Sequence, residues 1–118
     1  MPSDTKTPRL PAYFYRTRGG AEPVRDWLKA LPTADRRVLG FNLERVQVGW
    51  PVGMPWCRSL GGGLWELRSN LAGNRIARVL FFIHGDRIGV VHGFIKKTQR
   101  TPDLVLDQAR KRMKEMQE

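Results

Sequence analysis

The chain has 118 residues, enough for one domain with a real core. Lys plus Arg outnumber Asp plus Glu by 21 to 11, giving a net charge of +10, and 15 of those cations are arginine, the side chain suited to bidentate contact with phosphate. A single cysteine excludes an internal disulfide framework and a cysteine-based zinc site, and no apolar run approaches the ~18 residues of a membrane span. The charge points to a polyanionic partner, with nucleic acid first and a membrane surface or an acidic protein as alternatives.

The start, MPSDTKTPRLP, has no apolar segment of the signal-peptide kind and is expected to be a flexible lead over residues 1–11, followed by one domain over residues 12–118. Ala12–Thr17 carries Tyr13, Phe14 and Tyr15 and predicts a short strand, which Gly19-Gly20 breaks. Pro23 suits a first helical turn, and Val24, Trp27, Leu28 and Leu31 recur at i, i+3, i+4 and i+7. Pro32 ends that helix. Thr33 is placed to cap the next one, whose buried stripe is Leu39, Leu43, Val46 and Trp50. The short Leu-Pro-Thr connection predicts a helical hairpin.

Gly49–Gly63, rich in proline and glycine, predicts a loop. LWELRSNL then alternates as a half-buried strand, and RIARVLFFI at Arg75–Ile83 is strongly β by composition. His84–Arg87 is a hairpin turn, and Ile88–Ile95 is the return strand. Thr101 and Pro102 open a last helix, with Val105, Ala109, Met113 and Met116 along one face. Its other side, including Arg110, Lys111, Arg112 and Lys114, is expected to be solvated and able to track phosphates.

The order β-α-α-β-β-β-α predicts an α+β domain, with a three-strand meander covered on one face by the helical hairpin. If Trp65 and Leu67 point at the helices, Arg68 points away. Arg78 is expected on that same open face, since a guanidinium is costly to bury. His92, Phe94 and Lys96 share one side of the last strand. Arg68, Arg78, His92 and Lys96 would together form a basic concavity, with Arg58, Arg75, Phe94, Lys97, Arg100 and Arg110 as candidate nucleic-acid contacts. His84 is expected to be only a turn residue, and Trp27 and Trp65 to be core.

Neither histidine has a carboxylate or a second histidine at helical ligand spacing, no Gly-rich phosphate loop precedes a helix, and no serine elbow is present. One reaction needs none of these: attack of an RNA 2′-hydroxyl on its own phosphate. A protein has only to take the 2′-OH proton, stabilise the phosphorane and protonate the leaving oxygen.

LWELR, the arginine-bearing strand RIARVLFF, the segment HGFIKKTQRTP before a basic amphipathic helix, and the early PVRDWLKALP together resemble the phage-derived HigB-like branch of the RelE/ParE toxin superfamily. The similarity runs over roughly Tyr13–Met116, and FIKKTQRTP is its most specific part. The resemblance implies a RelE-like fold, a twisted antiparallel sheet with helices packed on it. It also implies the toxin of a type II toxin–antitoxin pair: a cytoplasmic, cofactor- and metal-independent endoribonuclease cutting mRNA on the ribosome. The implied partners are that mRNA and an antitoxin, a small helix-turn-helix protein encoded alongside; no membrane is involved. Arg68 ends the LWELR motif, Arg78 sits on the following strand, and Lys96 and Lys97 fill the paired-lysine positions. Several relatives carry a catalytic tyrosine near the C-terminus, whereas this chain ends KRMKEMQE and has only Tyr13 and Tyr15. Proton transfer would then fall to His92 or a lysine. A ParE-like gyrase inhibitor and an inactive nucleic-acid-binding module are the alternative functions.

Overall fold

The computed structural model describes residues 9–96 and 100–118. In chain order the elements are β1 (Ala12–Phe14), α1 (Pro23–Ala30), α2 (Thr33–Gly49), β2 (Cys57–Gly61), β3 (Leu64–Leu71), β4 (Arg75–His84), β5 (Arg87–Lys96) and α3 (Asp103–Gln117). The strands form one sheet in the order β1-β5-β4-β3-β2. β2 through β5 are antiparallel neighbours, while β1 runs parallel to β5. The protein is therefore α+β with a mixed sheet, and the expected all-antiparallel sheet is corrected at β1. The helical hairpin carries the chain from β1 at one edge of the sheet to β2 at the other, and β1 pairs in parallel with β5, the last strand in the chain.

β2 lies inside the stretch expected to be a loop. Proline and glycine dominate residues 49–63, yet Cys57–Gly61 pairs with β3 because Cys57 is an apolar anchor, 1% exposed, on the hairpin side. The expected lead over residues 1–11 lies mostly outside the described residues. From Arg9 onward the chain is held: the Leu10 amide donates to the Gln47 carbonyl at 2.9 Å, and Arg9 pairs with Glu44.

The sheet has helices on both faces. α1 and α2 pack on one face, over Leu67, Leu71, Ala77, Val79, Phe81, Ile88 and Val90, with Val24, Leu39 and Val46 as the buried helical residues. The expected stripes of both helices are the ones that point inward. Trp50 meets Trp65 and Phe81 edge-on at 5.0 and 5.5 Å, so Trp65 is core as expected. Trp27 lies against Gly93, where a Cβ would collide with the indole, so any larger residue there displaces α1. Each fully buried large apolar side chain contributes about 1.5–3 kcal/mol, making this layer the main source of stability.

α3 covers part of the opposite face through Val105, Leu106, Ala109, Met113 and Met116, packed on Leu64, Leu80, Phe82 and Val91. Two β-bulges explain how it is fastened. The register shifts between Ser59 and Gly61 on β2 and opposite Leu80 and Phe81 on β5, leaving Leu60 and Val91 as extra residues. A bulge takes a carbonyl out of the ladder. Arg110 donates to the Leu60 and Gly61 carbonyls at 2.8 and 2.9 Å, and Arg112 donates to the Val91 carbonyl at 2.9 Å. The helix face expected to be solvated thus turns two of its arginines inward. Thr101 and Thr33 do not cap helices: Pro102 and Pro32 occupy the cap positions, and no side chain closes either end.

A candidate nucleic-acid site at the uncovered end of the sheet

Register defines the α3-side face. Arg68 is directly opposite Arg78, and Arg78 opposite Phe94; the next row holds Asn70, Ile76 and Lys96; the preceding row holds Arg58, Glu66, Leu80 and His92. Arg68, Arg78, His92 and Lys96 therefore share one face, together with Phe94 and Arg58. The bulge at Val91 lies before His92, so alternation from His92 to Lys96 is undisturbed. Lys97 lies outside the described residues.

This face is not open throughout, and Arg78 is the main correction. It is the largest fully buried side chain of the molecule, 0% exposed. Its Nη1 is 3.2 Å from Glu66 Oε2 and 3.4 Å from Thr101 Oγ1, and the Thr101 hydroxyl donates to the same Glu66 oxygen. Glu66 is itself fully buried. A buried guanidinium is tolerable only against a buried carboxylate, and Glu66 provides it from the neighbouring strand. Because Thr101 lies two residues before α3, the cluster pins the start of that helix onto the sheet.

Beyond the cluster, the β3 end and the ends of β4 and β5 emerge from under α3. Lys96 and Asn70 are exposed, and Arg68, Ile76 and Phe94 are half-buried. The Phe94 ring lies between Lys96, whose Nζ is 5.9 Å from its centroid, and His92, at 5.8 Å ring to ring. Arg58 is exposed on β2. Arg100 is exposed and pairs with Asp103 at 3.3 Å, a surface contact worth about 0–1 kcal/mol. The result is a short cationic strip with an aromatic ring set into it, suited to hold a phosphate and stack a base.

His92 is drawn back from this strip. Burial, and secondarily the Arg112 guanidinium, pushes its pKa below the ordinary histidine value and favours the neutral ring. Arg112 Nη1 lies 3.4 Å from His92 Nδ1. Since arginine only donates, Nδ1 is the acceptor and the ring proton is assigned to Nε2.

Two expected contacts are engaged elsewhere. Arg75 lies on the hairpin face, where its guanidinium grips Asp35 of α2 through two bonds of 2.9 and 3.0 Å and donates to the Ala72 carbonyl. This bidentate pair holds the Asp35 carboxyl below its usual range. Arg110 is committed to the bulge at Leu60 and to the neighbouring Gly61. Alternation puts Arg75 on the face opposite Arg78, but neither its partner nor that of Arg110 follows from periodicity, because a long arginine reaches whichever acceptor the fold leaves unsatisfied.

Periodicity placed Glu66 on the face of Arg68, but it did not give the roles the packed fold gives Glu66, Thr101 and Arg112: Thr101 was expected only to open α3 and Arg112 only to face solvent and phosphate. A further group had no sequence signal. Phe41 and Trp56 are exposed, and the Arg45 guanidinium lies 5.8 and 4.4 Å from their ring centroids.

No curated protein matches the chain. Residues 26–114, from α1 through most of α3 and including the whole strip, match the family described as phage derived protein Gp49-like. That match spans well over half of the 118 residues, and the chain belongs to the phage-derived Gp49-like family.

Proposed function

We propose that the protein is the toxin of a type II toxin–antitoxin pair and arrests translation by cutting mRNA on the ribosome, with the RNA 2′-hydroxyl as nucleophile. The observation that carries this reading is the strip at the uncovered end of the sheet: Arg68 on β3 and Lys96 on β5 share one face, with Phe94 two residues before Lys96 on the same strand. Membership of a phage-derived family and the +10 charge support it. Phe94 stacks a base and holds the strand in place. Arg68 and Lys96 flank the scissile phosphate and stabilise the charge that develops on the phosphorane. Lys96 is the proposed proton acceptor for the 2′-hydroxyl, because the acceptor nitrogen of His92 already faces Arg112; as the 2′-oxygen bonds to phosphorus the P–O5′ bond breaks, and the leaving 5′-oxygen takes a proton from water. Arg78 acts as a positioning residue: it fixes β4 and the start of α3 beside the strip and does not touch RNA. A cognate antitoxin, a small helix-turn-helix protein, is the proposed inhibitor.

Expression of the chain without an antitoxin should stop growth, and primer extension on translated mRNA should show new 5′ ends. Arg68→Ala and Lys96→Ala should each lower cleavage by roughly 10²-fold, the usual cost of one lost transition-state donor, with melting temperature retained. Lys96→Ala should keep RNA binding while Arg68→Ala weakens it. Normal growth and intact mRNA after verified soluble expression would overturn the reading. Inhibited gyrase supercoiling with intact mRNA would replace it with the gyrase-inhibitor alternative.

A further inference from the structure

Of the four tryptophans, Trp27, Trp50 and Trp65 pack against the core of the hairpin face, whereas Trp56 is 37% exposed. It stands just before β2 and, with Asn42, Pro55, Arg68 and Asn70, lines a cleft of about 360 Å3. Sites for small molecules run from about 300 to 1,000 Å3, so the cleft suits one nucleotide. Its position is fixed by the backbone: the Arg68 amide donates to the Trp56 carbonyl at 2.8 Å, tying the indole to the strand that carries the catalytic strip. Asn42 Nδ2 donates to Ser69 Oγ at 2.8 Å, which orients its amide.

We infer that this cleft is a subsite for an unpaired base of the RNA strand, adjoining the cleavage strip. The inference rests on the proposed reading of the strip, since Arg68 lines both. Three features of the cleft fit a nucleotide. The indole of Trp56 offers a stacking face, and Arg45, 4.4 Å from its centroid, holds that ring and adds positive charge. The amides of Asn42 and Asn70 supply the paired donor and acceptor that a base edge needs. The described residues lining the cleft include no carboxylate. An acidic protein segment would be met by cations alone and would leave the two amides without a purpose. The subsite reads a base next to the scissile phosphate, and it contributes to which sequences are cut.

The test uses full-length protein carrying Lys96→Ala, so that RNA stays intact, titrated with short single-stranded RNA homopolymers at fixed salt while tryptophan fluorescence is followed. Bound RNA should quench the fluorescence. Adding Trp56→Ala should abolish that quench and weaken binding by about tenfold to a hundredfold, the range for loss of one stacked base. Trp56→Phe should recover part of the affinity, and Asn42→Ala should alter the ranking among homopolymers. Lys29→Ala, on α1, should change neither. Binding by the Trp56→Ala protein within twofold of its parent, or RNA that binds without quenching, would overturn the subsite. So would loss of binding to an acidic protein with RNA affinity unchanged. Cleavage mapping with the otherwise wild-type chain separates the two ideas. If Trp56→Ala cuts translated mRNA at the same sites and rates, the subsite falls and the nuclease reading stands. If wild type leaves mRNA intact while RNA still binds through Trp56, the nuclease reading falls and the subsite stands.

Discussion

Replacing Arg78 with alanine should cost a substantial share of a typical domain's stability. The substitution removes a fully buried guanidinium and leaves Glu66, equally buried, facing Thr101 and an apolar layer without its compensating charge. Breaking a buried ion pair from one side typically costs about 3–5 kcal/mol, against a total stability of roughly 5–15 kcal/mol for a domain. With a urea dependence of about 1.5 kcal/mol per molar, a loss of 3 kcal/mol moves the unfolding midpoint down by about 2 M. Urea titration followed by circular dichroism measures the shift directly. Removing both charges by Glu66→Leu with Arg78→Met should restore most of the stability, because well-packed apolar replacements of buried ion pairs are often neutral or stabilising. Strand alternation alone predicts the opposite, an exposed Arg78 whose loss leaves the fold intact. A wild-type midpoint for Arg78→Ala would show that Glu66 does not depend on Arg78, and would return Arg78 to the list of RNA-contacting residues.

Cys57 is 1% exposed, and burial pushes its thiol up to about 11; alkylating reagents should leave it unmodified in the folded protein and label it fully in denaturant. The folded-state pKa of His92 lies below its ordinary 6.5, so the unfolded chain takes the proton more readily. Its contribution to stability should be complete above about that value and fall away as pH drops through the folded pKa. Melting temperature should accordingly decline below neutrality in wild type and decline less in His92→Gln; identical profiles would show that His92 is not the group responsible. Asp35, whose carboxyl is held down by Arg75, should add a second loss only at more acidic pH, below its ordinary 3.8. The logarithm of RNA affinity should fall linearly with the logarithm of salt, with a slope of roughly 0.7–0.9 per phosphate contact, and a flat response would mean that the positive charge serves another partner.

Much of this architecture is legible in the sequence. Helical spacing selected the inward stripes of α1 and α2 and the packed face of α3. Alternation put Trp65 and Leu67 on one side of β3, Arg68 on the other, and His92, Phe94 and Lys96 together on β5. These are local properties: a side chain's direction follows from its own element's period of 3.6 or 2, which the residue order records. The face bearing Arg68, Arg78, His92 and Lys96 was therefore available without a structure.

What lies over that face was not. Periodicity gives an amphipathic α3 but not the side of the sheet on which it lands, and that landing turns an expected open surface into a buried layer with a short strip left at its end. The same step moves Arg78 from surface to core, because Glu66 and Thr101 meet it only once β3, β4 and the start of α3 are assembled. It also turns Arg110 and Arg112 inward, toward carbonyls that two bulges release from the ladder. Arg75 goes to Asp35 across 40 positions of sequence. Sequence fixes where a side chain points relative to its own backbone; burial, charge pairing and bulge satisfaction are properties of pairs far apart in the chain, and only the packed structure brings those pairs into contact.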